Sequence, residues 1–219
     1  MLNREELVEI VTRAVLEKLQ QKAQEPLELS KQIPVGVSNR HVHLSANDFA
    51  KLFGPGAKLT KWKDLSQPGQ YACQEKVTLI GPKGVIEQVR VLGPIRQMTQ
   101  VEVSVTDCFK LGIKPVIRDS GDLEGSSGIT LAGPAGVIAL EEGCIVAARH
   151  IHMTPQDAKK YGLRDKDKVC VQSSGVRSVV FNNVLVRVHE NYRLELHLDF
   201  DEANGAYLKC GDMLDIVKC

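Results

Sequence analysis

The sequence predicts a mostly β protein with two barrel-like units, and three observations carry that prediction. From Ile33 onward the chain runs in short, valine-rich stretches separated by Gly and Pro, the texture of strands and tight turns. Gly81-Pro82-Lys83-Gly84-Val85-Ile86 is echoed by Gly133-Pro134-Ala135-Gly136-Val137-Ile138, each with Pro second and Gly fourth in a turn, so both read as hairpins. The stretch 39–48 is written again at 148–157, with His41 and His150, and His43 and His152, each 109 positions apart. Arg40 matches Arg149, Val42 matches Ile151, Leu44 matches Met153, Ser45 matches Thr154, Asp48 matches Asp157 and Lys51 matches Lys160. Many short strands at close spacing imply a sandwich or barrel rather than alternating strand and helix.

Taken in order, residues 1–22 carry Leu2, Leu7, Ile10, Val11, Ala14, Val15 and Leu19 on one stripe and Arg4, Glu5, Glu9, Arg13, Glu17 and Lys18 on the other face. That spacing predicts an amphipathic helix. An isolated helix of this length is marginal in water, so the stripe must dock on its own domain, in a dimer, or elsewhere as a detachable tag. The polar segment 20–26, ending in Pro26, reads as a linker and favours the tag. Strands are expected at 34–37, 76–80, 85–92, 101–105, 116–119, 128–131 and 137–140. Further strands are expected at 144–152, 168–172, 179–181, 185–188, 194–199 and 213–217. After the N-terminus only the two segments following the histidine pairs read as helical: Ser45 or Thr154 caps, an acidic residue follows three positions on, and Pro155 suits a first helical turn.

The composition is that of an ordinary globular protein, with 43% hydrophobic and 25% charged residues in 219. A net charge of +1, 5% aromatics and no dense basic run give no electrostatic case for nucleic acid. The six cysteines have no C-x-x-C spacing, so reduced thiols are expected. With no run of about eighteen apolar residues and no signal peptide, the sequence predicts a cytoplasmic protein without a membrane partner.

In an extended segment residues i and i+2 share a face, so each His-x-His offers two imidazoles side by side while Val42 or Ile151 turns into apolar packing. Matching flanks make coincidence a poor account of two such pairs, and metal binding is the expected function. Imidazole suits zinc, copper, iron or nickel, and the absence of clustered cysteines removes the thiolate-rich structural sites. His197 lies in its own alternating strand, Leu194–Asp199, while His189 reads as an ordinary surface or core residue. Arg96 follows a Gly-Pro corner, where its planar fork could clasp a phosphate or carboxylate, with Glu102 in the strand beyond. An exposed loop arginine and an ordinary strand glutamate explain that pair equally well. The Gly- and Ser-rich stretch 119–128 could approach a ligand but lacks the phosphate-loop pattern, and it reads more readily as a mobile surface loop. Asp199, Asp201 and Glu202 read either as groups orienting a ligand or as a solvated acidic turn.

The run Pro34-Val35-Gly36-Val37-Ser38-Asn39-Arg40-His41-Val42-His43-Leu44, with Gly93–Arg96, Arg149–His152 and Leu196–Asn204, resembles the PduL-type phosphate propanoyltransferases from about residue 33 to the C-terminus. The resemblance implies reversible exchange of CoA and phosphate on a short acyl group, propanoyl by the family's name, with two zinc ions between two β-barrel domains. It assigns His41, His43 and Glu102 to one zinc, His150, His152 and His197 to the other, and Arg96 to the phosphate. It implies that residues 26–40 and 148–219 form one β-barrel domain, with 41–147 inserted as the other and 1–25 as an N-terminal helix and linker. Members housed in bacterial microcompartments carry an amphipathic extension that directs packing within the shell. Residues 1–22 are similar to such an encapsulation peptide, with shell or core proteins as partners and a homo-oligomer as the expected assembly. The competing expectations are a zinc hydrolase of a thioester or phosphoester, and a non-catalytic, metal-stabilised module of a shell assembly.

Overall fold

The computed structural model of the chain describes Thr12, Arg13, Val15, Leu16 and residues 32–219 apart from Lys218. Those four N-terminal residues are helical; the rest of the expected amphipathic helix and its linker lies outside the described residues. From Gln32 the chain forms one compact unit. Its first strands are β1 (Gln32–Ser38), β2 (His41–Ser45), β3 (Lys61–Asp64), β4 (Tyr71–Ile80), β5 (Val85–Arg96), β6 (Gln100–Glu102) and β7 (Ile117–Arg118). There follow β8 (Ser127–Ala132), β9 (Val137–Ala147), β10 (His150–Met153), β11 (Lys168–Gln172), β12 (Val180–Val188), β13 (Glu195–Asp199) and β14 (Met213–Val217). The helices within this unit are α1 (Ala46–Phe53), α2 (Val105–Leu111), α3 (Pro155–Tyr161) and α4 (Phe200–Gly205).

The strands close into two barrels of six, as the mostly β prediction requires. In the first, the pairing runs β4, β5, β2, β6, β9, β8 and back to β4. In the second it runs β1, β13, β10, β12, β11, β14 and back to β1. The order is the same in both. β2 lies parallel to β5 and antiparallel to β6, just as β10 lies parallel to β12 and antiparallel to β13. β9 stands beside β6 as β1 stands beside β13. Both copies of the repeat therefore do one job: a strand belonging to one barrel hands the chain to a histidine strand of the other. Residues 144–152 accordingly form two strands rather than one, broken at Ala148 and Arg149 where the chain crosses over.

Alternation drives the two cores. Val42 and Leu44 are fully buried inside the first barrel, Ile151 and Met153 inside the second, and the histidines between them turn outward. Ser45 caps α1 and Thr154 caps α3, with Pro155 opening the latter, as read from the sequence. Each hairpin tip then stoppers a helix end: Lys83 N–H donates to the Leu111 carbonyl at 3.0 Å and Ala135 N–H to that of Leu52 at 2.9 Å. A Cβ on Gly81 would lie 2.3 Å from the Leu111 carbonyl oxygen, so this approach requires glycine.

Three expectations need correction. Helices α2 and α4 follow β6 and β13, where only strand or acidic turn was expected; their capping boxes, Ser104 with Asp107 and Asp199 with Glu202, were legible signals. Strand β3 was missed because Lys61–Asp64 is exposed throughout, and the first half of β4 because its buried residues, Ala72 and Cys73, are adjacent rather than alternating. Cys170 and Cys219 are joined in a disulfide, against the expectation of reduced thiols. Cys170 pairs with Val217 across β11 and β14, and that neighbourhood brings together cysteines 49 residues apart.

Candidate metal centre between the barrels

Each histidine strand meets a second donor strand in a fixed register. His41 faces Glu102 across β2 and β6, and His150 faces His197 across β10 and β13. Glu102 and His197 thus occupy equivalent positions, and directly opposed residues in antiparallel strands share a face. The result is two triads, His41, His43, Glu102 and His150, His152, His197, within each of which the donor atoms lie within 4.8 Å of one another. These are the six residues that the sequence resemblance assigns to metal. A cavity of about 680 Å³, lined from both barrels, receives both triads.

The donors are prepared in the same way in each copy. Nδ1 of His41 lies 2.8 Å from the Asn39 carbonyl and Nδ1 of His150 lies 2.8 Å from that of Ala148. A carbonyl only accepts, so each Nδ1 carries the proton and each Nε2 offers a lone pair. Nε2 of His41 is 3.4 Å from Glu102 Oε2, a lone pair facing an anion, which calls for a cation or a proton between them. Nδ1 of His43 and Nδ1 of His152 are buried with no hydrogen-bond partner among the described residues, costing about 1–3 kcal/mol each unless an ion takes up the lone pair. Orphaned imidazole nitrogens and a carboxylate in two three-donor groups fit a divalent metal that keeps open positions.

Electrostatics agrees. Burial and then the neighbouring His41 push His43 down to about 2, burial and His197 push His150 down to about 4, and burial and His150 push His152 down to about 2. All three are neutral and able to ligate at pH 7. Burial opposes the charged form of His41, but Glu102 outweighs it and leaves His41 raised. Burial likewise opposes ionisation of Glu102, yet the histidines and Arg96 hold its carboxyl well below the usual range.

Arg96, at the end of β5, faces the same cavity and touches Ser120 Oγ through Nη1 at 3.4 Å. Ser120 also donates to Glu102 Oε1 at 3.2 Å, and Gln100 Nε2 donates to the same oxygen at 2.6 Å. The 119–128 stretch, read as a mobile surface loop, therefore supplies a wall of the site. Sequence reasoning also missed Arg187 and Tyr192. Arg187 pairs with His152 across β10 and β12, shares its face and lines the cavity. The Tyr192 ring stacks on His152 with centroids 4.2 Å apart. At another part of the cavity Arg90 lies over the exposed Trp62 indole, 4.5 Å from its centroid, with Lys63 alongside. The acidic group after His197 is engaged by the fold: Asp199 caps α4, Glu202 holds Arg149 at 2.9 Å, and Asp201 accepts from Thr106 N at 2.8 Å, tying the barrels together. His189 is exposed, its Nδ1 accepting from Asn191 N–H at 3.2 Å, as the surface reading expected.

Known proteins resemble this chain over most of its length. The phosphate propanoyltransferase family profile matches residues 34–209. A phosphate propanoyltransferase of Thermotoga maritima is 58% identical over 188 residues, covering 85% of this chain and 89% of its own. One from Rhodobacter capsulatus is 57% identical over 173 residues, covering 79% and 80%. One from Lachnoclostridium phytofermentans is 48% identical over 211 residues, covering 96% of this chain and 98% of its own. With family match, barrels and paired donor sets in agreement, the chain belongs to the phosphate propanoyltransferase family of acyltransferases.

Proposed function

We propose that the chain interconverts a short-chain acyl-CoA, propanoyl-CoA by the name of its relatives, plus phosphate with acyl phosphate plus CoA, using zinc held in the two triads. The observation that carries this reading is the convergence of two three-donor groups and Arg96 in one cavity. Zinc bound there would polarise the thioester carbonyl and stabilise charge on the departing sulfur. The guanidinium of Arg96 holds phosphate with one oxygen aimed at the carbonyl carbon, so the barrier falls chiefly through positioning. Arg187, on the same face as His152, adds a second cation from the other barrel. The phosphate oxygen bonds to carbon, the carbon–sulfur bond breaks, and the proton of monohydrogen phosphate ends on the CoA sulfur. No acyl-enzyme is needed.

Lys63, Arg90 and the Trp62 face suit the phosphates and base of a nucleotide, and we assign them to CoA. Lys63 is exposed, and its place in the fold is its backbone pairing with Ala72 across β3 and β4. Lys63→Ala should raise KM for CoA about threefold to tenfold, in line with loss of one charge-assisted contact, while kcat holds. Initial rates across a CoA series check this.

The deciding assay supplies acyl-CoA to zinc-quantified protein with and without phosphate. Acyl phosphate should form only with phosphate present, and acetyl-, propanoyl- and butanoyl-CoA should differ in kcat/KM. Release of free acid at the same rate without phosphate would instead make the protein a hydrolase.

The division into 1–25, 26–40 with 148–219, and 41–147 belongs to the same reading and is supported by the pairing of β1 with β13 and β14. Residues 1–22 act as an encapsulation peptide that carries the enzyme into a microcompartment, as their apolar stripe suggests. Deleting them should leave turnover unchanged and abolish co-purification with shell proteins.

A further inference from the structure

The two triads differ at one position, Glu102 against His197, and the residue behind each differs in a complementary way. Gln100 faces His43 across β2 and β6, and Glu195 faces His152 across β10 and β13, so Gln100 and Glu195 are also equivalent. Behind the carboxylate ligand stands an amide whose Nε2 donates to Glu102 Oε1 at 2.6 Å. Behind the imidazole ligand stands a carboxylate, with Glu195 Oε2 2.6 Å from His197 Nε2. A donor backs the anion and an acceptor backs the ring, and each barrel contributes one carboxylate.

Resting on the zinc reading above, we infer that Glu195 is a positioning residue: it holds the proton on Nε2 of His197 and so turns the Nδ1 lone pair toward His150 and His152. His150 presents the opposite nitrogen, because its Nδ1 is engaged by Ala148. A carboxylate behind a ligating imidazole fixes its tautomer and raises its basicity. Glu195 is itself held firmly. Its Oε2 also accepts from Ser66 Oγ and, at 3.1 Å, from Gln67 Nε2, both on the loop between β3 and β4. That loop is pinned to the second barrel by two further bonds, Gln67 Nε2 to the Arg193 carbonyl at 3.0 Å and Arg193 N–H to Gln67 Oε1 at 3.1 Å. Three donors on one oxygen keep the carboxylate from swinging round to bind metal itself. Gly36 completes the arrangement, since a Cβ there would lie 2.7 Å from Glu195 Cδ. The first barrel thus sets the ring orientation of a ligand carried by the second.

The test uses full-length protein labelled with 15N in histidine, with zinc titrated against a competing chelator. Wild type should show His197 protonated on Nε2, already in the metal-free protein, and two zinc equivalents. Glu195→Ala should lose that tautomer preference and weaken one zinc equivalent about 10–100-fold, leaving the other unchanged. Glu195→Gln keeps an accepting oxygen and should restore both to within a few-fold. Unchanged tautomer and affinities in Glu195→Ala would overturn the inference. So would Glu195→Gln failing as fully as Ala, which would make Glu195 a ligand. Absence of zinc binding by wild type would instead remove the metal reading, while the metal-free spectrum would still decide the His197 tautomer.

Discussion

Arg96→Ala is expected to lower kcat/KM for phosphate by about 10²–10³, the range seen when a single preorganised charge donor is removed from a reacting centre. The effect should be chemical rather than structural. The one hydrogen bond of the Arg96 side chain among the described residues is the long one to Ser120 at 3.4 Å; its charge acts on Glu102 less than His41 and His43 do, and Glu102 keeps its bonds from Gln100 and Ser120 without it. Zinc content and thermal stability should therefore stay at wild-type values. Arg96→Lys should recover only part of the loss, because a point charge restores attraction but not the two-pronged fork. Initial rates against phosphate, with metal quantified in each variant, check the assignment, and kinetics indistinguishable from wild type would remove Arg96 from the mechanism.

How far the site could be read from sequence follows from how local each signal is. The histidine pairs were legible because i, i+2 spacing in a strand settles which side chains share a face, and the second copy excluded coincidence. Glu102 and His197 were individually visible, but their equivalence depends on which strands close the barrels, and no local pattern encodes that. Arg187 and Tyr192 enter the cavity only through the register of β12 on β10 and the loop that follows. The two readings left open after His197 have a specific outcome. Asp199, Asp201 and Glu202 follow His197 in sequence and could be read as orienting groups or as a solvated turn; all three are engaged by α4, Arg149 or the other barrel. Glu195, two residues before His197 and on its face, was passed over although the same alternation rule finds it. The fold shows a parallel pattern: β-rich texture and capped post-histidine helices were plain, while the polar edge strand β3 and the disulfide depend on neighbours remote in sequence.

Acidification should destabilise the metal-free protein sharply, and the sign follows from the buried rings. His43 and His152 sit at about 2 and His150 at about 4 in the folded chain, all below the ordinary histidine value of about 6.5. As pH falls through 6.5 the unfolded chain takes up protons that the folded chain refuses, so stability drops. At pH 5 each of the three costs about 2 kcal/mol, from about 1.5 pH units at 1.36 kcal/mol per unit. His41 runs the other way: its raised folded value stabilises the protein below 6.5, a contribution lost as pH rises through that value. The depressed Glu102 adds stability above the ordinary carboxylate range and loses it only as pH falls toward its low folded value. Between pH 7 and 5 three depressed histidines therefore outweigh one raised one, and the net change is a loss of several kcal/mol. For a chain of this size that lowers Tm by roughly 10 °C. Thermal unfolding of chelator-treated protein at pH 7.5 and pH 5 measures it, and zinc-loaded protein should hold its Tm to lower pH because metal competes with protons for the same lone pairs. A metal-free Tm that is level or rises on acidification would mean that the imidazoles are not held neutral by burial, and would take away the preparation for metal on which both triads depend.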